Sequence, residues 1–176
     1  MMSHRTYYGT YVDQEIHTSV LHLHLSNSYS MLLLLPDNMT MLENNISPAH
    51  VNKWMKSIKY WEWKIFVPKF SIKTSSKLND VLKGMGITDV FGVRANLSGL
   101  AEEKNLTVSE VVHQATLDVN EAGVYAAAVT GIISVNFCAR RSPILELKFN
   151  RPFMVIITER NAENILFIGK IVNPII

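Results

Sequence analysis

The sequence predicts an α+β fold, made mostly of antiparallel strands with a few short helices. Three observations lead to this prediction. Apolar and polar residues alternate in several short stretches, which is typical of half-buried strands. Continuous apolar runs bounded by turn residues indicate strands covered on both faces. Segments with helical spacing are brief, and 176 residues with 48% apolar content suffice for one domain, residues 1–176.

The first predicted element is a three-strand meander between Tyr7 and Asp37, with Asn27-Ser28 as a hairpin corner. Leucines alternate with His22 and His24 from Ser19 to Leu25, so we expect a buried leucine face and an opposite face that carries the imidazoles. A His-x-His pair on a strand can bind a metal. Because no third ligand lies in register, a structural or solvated role is favoured, and we predict no metal site and no cofactor.

The next elements are a buried strand, two short helices and an interrupted strand. Met31 to Leu35 has no polar face, which indicates a strand covered on both sides. Met39 to Ile58 shows helical spacing, and Ser47-Pro48 supplies a cap and a first-turn proline, so two short helices fit here. Lys64 to Lys73 alternates again, with a break at Pro68-Lys69.

Three tryptophans lie where the predicted helices give way to this strand, at Trp54, Trp61 and Trp63. An aromatic cage for a ligand is one interpretation. Core packing is favoured, because large rings contribute most by burying apolar area.

The following elements are a helix, a connector and a strand. Ser75 to Met85 predicts a short helix that stops at Gly86. Ile87 to Lys104 is a turn-rich connector. Val111 to Asn120 alternates cleanly, which predicts a half-buried antiparallel strand with His113 on the buried side.

The C-terminal part is predicted to be all β. Leu145 to Asn150 alternates between apolar and polar residues. Two nearly continuous apolar runs, Phe153 to Ile157 and Ile165 to Val172, flank the polar corner Glu159 to Asn164. We expect a deeply buried hairpin.

Between the strands at 111–120 and 145–150 lies a long segment of mostly small residues, about 121–143. Ala126-Ala127-Ala128 could be part of a helix, but Gly123, Val124 and Gly131 make it a poor one, and a mobile connector is the plain alternative.

Two tracts in and after this segment resemble a known family. Glu121-Ala122-Gly123 with Ala126-Ala127-Ala128, and Phe149-Asn150-Arg151-Pro152-Phe153, resemble the hinge and the signature of the serpins, most nearly the antitrypsin, antichymotrypsin and kallistatin branch. The resemblance covers the whole chain but only the C-terminal half of the serpin fold. We therefore expect the 176 residues to be a fragment or truncated product that does not inhibit by itself.

The resemblance implies a serine-protease inhibitor, not an enzyme, with a reactive-centre loop at about 121–143. In the serpin mechanism a protease cleaves this loop, stays attached as an acyl-enzyme and is distorted while the hinge inserts into a sheet as a new strand. Serpins usually have threonine at the position of Val124 and an acidic residue at that of Tyr125. The expected hinge residues are Glu121, Ala122, Gly123, Val124, Tyr125, Ala126, Ala127 and Ala128.

Serpin spacing from the hinge glutamate implies that the cleaved residue is Phe137, followed by Cys138. An aromatic residue there suits a chymotrypsin-like protease, because such enzymes have an apolar primary pocket. Arg140 or Arg141 would instead recruit a trypsin-like enzyme if the register shifted. Cys138 is the single cysteine, so the chain has no intrachain disulfide, and its thiol could form mixed disulfides or dimers or stay unmodified.

The resemblance also implies residues that control sheet opening. His113 would sit under the sheet where it opens. Lys69 and Glu121 match two residues that form a salt bridge in antitrypsin, although two exposed charges are the plain alternative.

Charge and acceptor motifs bear on partners and compartment. A formal charge of +2 without long basic runs gives no reason to expect nucleic acid or a membrane as partner. Met1 to Ser19 lacks the pattern of a signal peptide. Four asparagine acceptor motifs nevertheless favour a secreted, extracellular glycoprotein, and they begin at Asn38, Asn45, Asn96 and Asn105.

Two further expectations concern association and an alternative function. The strand from Val111 to Glu121 would lack a neighbour, so it offers an edge for self-association. The alternative function is that of a non-inhibitory serpin that carries a small apolar hormone near the short helices and the terminal hairpin, with Trp54 and the region from Phe153 to Phe167 as contacts.

Overall fold

The computed structural model describes residues 1–26, 28–100, 106–120, 144–159 and 164–174. Its elements confirm the α+β class. The strands are β1 Met2–Asp13, β2 Thr18–His24, β3 Tyr29–Pro36, β4 Lys59–Val67, β5 Phe70–Lys77, β6 Val112–Val119, β7 Leu145–Lys148, β8 Phe153–Glu159 and β9 Ile165–Ile171. The helices are α1 Met39–Asn45, α2 Pro48–Ser57 and α3 Asn79–Gly84, with a 3-10 turn at Asp89–Phe91.

The strands form two sheets in two compact units. Seven strands follow the order β7-β4-β1-β2-β3-β8-β9, and β5 pairs with β6 in a two-stranded sheet. All pairs of the large sheet are antiparallel except β4 with β7, which is parallel. One unit comprises Met1–Phe70 and Val119–Ile176, and the other comprises Ser71–Asp118. In the part of the chain described above, no helix is long and apolar enough to cross a membrane.

The predicted meander is confirmed as β1, β2 and β3, and β3 is the most buried of the three. Met31 to Leu35 are all at most 3% exposed, because β2 and β8 flank this strand and α1 and α2 contribute to the apolar cluster on it. The cluster joins the sheet to both helices; its buried members are Ile16, Val20, Leu32, Leu34, Leu42, Val51, Trp54, Met154 and Ile156. The two predicted helices are therefore held by packing, as expected for helices this short.

A structural and a solvated role were both open for the histidines of β2, and His22 has the structural one. His22 is only 6% exposed, and its Nε2 lies 2.9 Å from Ser30 Oγ on β3. It fits because its partner across the β1–β2 pairing is Gly9, which has no side chain. A β-carbon on Gly9 would lie 2.7 Å from Ile58 Cγ2 and 3.3 Å from His22 Nδ1.

Several local expectations also need correction. Trp54 is fully buried, but Trp61 is 58% exposed on β4 and so does not pack in the core. Ser47 occupies the N-cap of α2 without a capping hydrogen bond, because its hydroxyl lies 2.8 Å from His50 Nδ1. The helix predicted from Ser75 begins only at Asn79, since β5 continues to Lys77.

The terminal hairpin is formed, but only its first strand is deeply buried. On β8, Phe153 to Ile156 are at most 4% exposed. On β9, Ile165 to Ile168 are 36–57% exposed, because β9 is an edge strand that pairs with β8 alone. Among the described residues no element covers its apolar side chains, so an apolar run did not by itself signify a covered strand.

A buried carboxylate that the sequence did not predict joins β1 to α2. The side chain of Asp13 is inaccessible, and it accepts hydrogen bonds from Trp54 Nε1 at 2.7 Å and from the Glu15 amide at 3.0 Å. Lys53 Nζ lies 3.3 Å from Oδ2. Burial by itself raises the pKa of Asp13, but the hydrogen bonds from Trp54, Glu15 and Lys53, with the lysine charge, lower the pKa below 3.8.

Replacing Gly9 tests the close approach of β1 to its neighbours. Gly9→Ala should lower the free energy of unfolding by about 1–3 kcal/mol, because the added methyl group overlaps Ile58 and crowds His22. Urea denaturation measures this change in the free energy of unfolding. Gly92→Ala is the matched control, since a β-carbon at Gly92 meets nothing within 4 Å. Equal effects of the two variants would contradict the role given to Gly9.

Asp13 should make a pH-dependent contribution to stability. Because its folded pKa lies below 3.8, the stabilisation is present above pH 3.8 and is lost as pH falls through the folded pKa. Asp13→Asn should cost about 2 kcal/mol at neutral pH, as expected for hydrogen bonds to a charged group. The difference in the free energy of unfolding between wild type and Asp13→Asn should shrink on acidification. Asp118→Asn, at an exposed position, is the control, and a difference independent of pH would refute the assignment.

Candidate functional site

The candidate site is the segment 121–143 together with the two strand ends that bound it. The segment lies outside the described residues, so the predicted hinge from Glu121 to Ala128 and the predicted reactive residues are not placed; the latter are Phe137, Cys138, Arg140 and Arg141. The structure describes the last strand before the segment, β6, and the first strand after it, β7.

The C-terminal end of the segment is held by β7 at the edge of the large sheet. β7 runs parallel to β4, with Leu145 opposite Trp63 and Lys148 opposite Phe66. Leu147 is 8% exposed, and just beyond the strand the Phe149 amide donates to the Phe66 carbonyl at 2.9 Å. Because the pair is parallel, the chain that joins β4 to β7 must return to the end of the sheet at which β4 begins.

The outer face of this edge carries a compact group of charges. Glu146 pairs with Lys148 at 2.7 Å, and the Nζ atoms of Lys64 and Lys148 lie 5.1 and 5.2 Å from the centre of the Phe66 ring. The hydrogen bond from Lys148 lowers the pKa of Glu146 below 4.5. Burial opposes this shift, and the charges of Lys148 and Lys64 reinforce it. Glu146 therefore stays ionised at neutral pH.

Directly after β7, the corner Phe149–Phe153 is fixed by two buried rings and one arginine. Phe149 and Phe153 are fully buried and make an edge-to-face contact with ring centroids 5.2 Å apart. Phe70 contacts Phe153 in the same way at 5.6 Å. The rings bring β7 and the start of β8 together.

Arg151 ties the same corner to the end of β3. Its Nε donates to the Pro36 carbonyl at 3.1 Å, and its Nη2 lies 3.0 Å from Asp37 Oδ1. Asn150 and Pro152 between the anchoring residues are exposed. The five residues matched to the serpin signature thus form one connection between β7 and β8. Its two phenylalanines are buried, and its arginine is bonded to the end of β3.

At the other end of the segment, β6 shows the predicted alternation but not the predicted burial. Ala115 and Leu117 are half-buried and Val119 is 4% exposed. His113 is exposed, so the expectation that it lies on a buried face is wrong for this structure. The physical reason is that β6 pairs only with β5, and in residues 71–118 that the structure describes no further layer covers His113.

The predicted ion pair at the base of the segment is only half described. Lys69 is exposed, next to the buried Pro68 in the predicted break between β4 and β5. Glu121 lies outside the described residues. A salt bridge between them stays a prediction.

The residues predicted for other roles are distributed over the fold. Asn38, Asn45 and Asn96 are exposed, and Asn105 lies outside the described residues. Trp54 and Phe153 are fully buried, which removes them as direct ligand contacts. Within the described ranges, no group of three or more histidine, cysteine, aspartate and glutamate side chains could hold a metal ion.

Comparisons with known proteins agree on one family. A model of the Serpin family (serine protease inhibitor) matches residues 1–174. The alpha-1-antitrypsin homolog of Cyprinus carpio is 42% identical over 176 residues, 99% of this chain and 46% of the relative. The plasma serine protease inhibitor of Homo sapiens is 38% identical over 176 residues, 99% of this chain and 42% of the relative.

A solved structure agrees with these relatives. Human thyroxine-binding globulin in complex with thyroxine is similar with a TM-score of 0.78 and 34% identity, over 98% of this chain and 45% of that one. This chain therefore spans less than half the length of the relatives it matches.

Removing Arg151 should loosen the corner after β7. Arg151→Ala loses both the bond to the Pro36 carbonyl and the pair with Asp37, and should lower the free energy of unfolding by about 1–2 kcal/mol. Asp37→Asn removes only the exposed ion pair and should cost less than about 1 kcal/mol. Urea denaturation distinguishes them, and equal losses would show that the bond to the backbone carbonyl is unimportant.

Proposed function

Because the chain belongs to the serpin family, we propose that the protein inhibits a serine protease as a suicide substrate, with residues 121–143 as the reactive-centre loop. The observation that supports this best is the geometry of the loop's C-terminal end. β7, the corner Phe149–Phe153 and the contact of Arg151 with Pro36 hold that end on the rigid sheet. Before cleavage, such an attachment at the C-terminal end keeps the loop from inserting. Cleavage after Phe137 separates the hinge side, which carries the acyl-enzyme, from this attachment and so allows it to insert.

The composition of the hinge supports insertion as a strand. In an extended segment alternate residues face one side, and the side that would enter the sheet carries Val124, Ala126, Ala128, Thr130 and Ile132. From Val124 to Val135 there is no charge and no proline. Adding a strand of roughly a dozen ladder hydrogen bonds at about 1 kcal/mol each supplies on the order of 10 kcal/mol for distorting a bound protease.

The proposed reactive bond is Phe137–Cys138, and the proposed target is a chymotrypsin-like protease. An apolar primary pocket accepts the aromatic ring of Phe137. Arg140 and Arg141 define the competing register, in which a trypsin-like enzyme would be the target.

We expect the 176-residue chain by itself to be cleaved rather than to trap its protease. Among the described strands, β6 has β5 as its one partner, so on its other edge the described part of the chain has no second strand from which β6 could part around an inserting hinge. The open edge of β6 and the thiol of Cys138 are the proposed routes of self-association. Secretion is part of the proposal, and it is supported by the acceptor asparagines.

A second candidate is that the protein carries a small apolar hormone. It is favoured by the similarity to thyroxine-binding globulin and by the exposed apolar side chains of β9, such as Phe167 at 51% exposure. The buried state of Trp54 and Phe153 weighs against the contacts expected from the sequence. Saturable binding of thyroxine or a steroid by calorimetry, without cleavage at Phe137, would favour this candidate.

Within the loop, chymotrypsin should cut after Phe137 in preference to Tyr125, the other aromatic residue of 121–143. The new N-terminus, read by Edman sequencing or mass spectrometry, should begin at Cys138. Phe137→Ala should slow this cut at least about tenfold, because a methyl group does not fill the apolar pocket, whereas the double variant Arg140→Ala/Arg141→Ala should be cut like wild type.

Two results would count against parts of this proposal. Preferred cleavage after Arg140 or Arg141 by trypsin, with Phe137 untouched by chymotrypsin, would overturn the register. A protease complex that survives boiling in detergent, formed by this chain alone, would overturn the claim that it acts only as a substrate.

A further inference from the structure

We propose that Asn96 is a site of N-linked glycosylation, selected by a turn that its own acceptor motif forms. This inference concerns a modification and goes beyond the proposed inhibition. It rests on the conformation of Asn96-Leu97-Ser98, one of the four acceptor motifs of the chain, and on the contrast with the motif at Asn45.

In the motif at Asn96 the carboxamide and the hydroxyl are already in contact. Ser98 Oγ donates to Asn96 Oδ1 at 2.8 Å, and the Ser98 amide donates to the same oxygen at 3.4 Å. Both bonds use the amide oxygen. In the part of the chain that the structure describes, no hydrogen bond involves Nδ2 of Asn96, and the residue is exposed. The nitrogen that would carry the sugar thus belongs to an exposed side chain whose amide oxygen is held by Ser98.

The turn depends on residues two apart in sequence, which matters for when it forms. Asn side chains bond to the backbone two residues on without help from the rest of the fold. The turn can therefore form in a nascent chain before β5 and β6 pair. A glycosylating enzyme that meets the chain during synthesis would find this motif already bent.

The motif at Asn45 shows the opposite arrangement. Asn45 Nδ2 donates to the Met41 carbonyl at 2.8 Å inside α1. The hydroxyl of Ser47 contacts His50 Nδ1 rather than Asn45, and Pro48 follows directly. At this motif the nitrogen and the hydroxyl are both engaged by residues four and three positions away. These contacts are also local in sequence, so the motif is the contrasting case in the same chain.

The surface around Asn96 also gives a glycan a physical role. Val93 and Leu100, on either side of the turn, are 101% and 81% exposed. Glycans are bulky and solubilising, so a sugar chain between two exposed apolar side chains would shield them from other molecules.

The chemical step is a glycosyl transfer that balances without a redox partner. Asn96 Nδ2 attacks the anomeric carbon of an oligosaccharide diphospho-lipid. The new bond joins nitrogen to carbon, the bond from that carbon to the phosphate oxygen breaks, and the lipid diphosphate leaves with the electron pair. The amide nitrogen loses one proton to the enzyme's base.

The test expresses the full chain in mammalian cells behind a cleavable secretion leader, and it reads glycosylation from whole-cell lysate. The loss of one glycan step on gels, reversed by peptide-N-glycosidase, is expected for Asn96→Gln and for Ser98→Ala. Ser98→Thr should restore the step, because threonine keeps the hydroxyl, and Asn45→Gln should match wild type. The triple variant Asn38→Gln/Asn45→Gln/Asn105→Gln should retain one glycan.

The readout does not require correct folding or any inhibitory activity, so it stands or falls apart from the proposed function. Mass spectrometry after enzymatic deglycosylation in heavy-oxygen water should label residue 96. An unlabelled residue 96, or an Asn96→Gln variant with the glycan pattern of wild type, would overturn the proposal. Loss of a glycan in Asn45→Gln would overturn the selection by turn geometry.

Discussion

The contact between two buried aromatic rings, Phe149 and Phe153, is the constraint on which the corner between β7 and β8 depends. Each ring is fully buried, and each belongs to a strand end that would otherwise be free to move. Because the rings stand edge to face at 5.2 Å, β7 and β8 must leave the corner in fixed directions. Arg151 adds a tie to the end of β3, so the far end of residues 121–143 is attached to the most buried strand of the sheet.

Two buried polar side chains of the sheet unit, Asp13 and His22, are accommodated by specific partners. Asp13 stays ionised because Trp54, Glu15 and Lys53 supply hydrogen bonds and charge. His22 finds the Ser30 hydroxyl on one neighbouring strand and the absent side chain of Gly9 on the other. Buried polar atoms are costly when unpaired, so these residues depend on the strand register. Because a shift in strand register would separate these partners, they also favour a single register of the sheet.

Serpin membership and the anchored corner together make the inhibitory proposal coherent. From Val124 to Val135 the proposed loop carries no charge and no proline, and the strand that follows the loop is anchored by the corner Phe149–Phe153. β6 pairs with β5 in a two-stranded sheet, and His113 on β6 is exposed. Further strands could therefore join this sheet. This chain spans less than half of its relatives' length. Its described residues include the C-terminal attachment of the proposed loop, which is β7 with the corner Phe149–Phe153.

Much of this protein was determined by local sequence pattern. The period of two in β2, β7 and β6, the breaks at Pro68 and Gly86, and the apolar run of β3 are properties of neighbouring residues, and each was predictable from the chain alone. Burial was not predictable from the chain alone, because it depends on which residues lie opposite a strand face. His22 is enclosed by β3 and Gly9, whereas Ile165 to Ile168 lie on an edge strand that no described element covers. The same holds for Asp13 and Trp54, which are 41 residues apart and were brought within hydrogen-bonding distance only by the packing of α2 against the sheet.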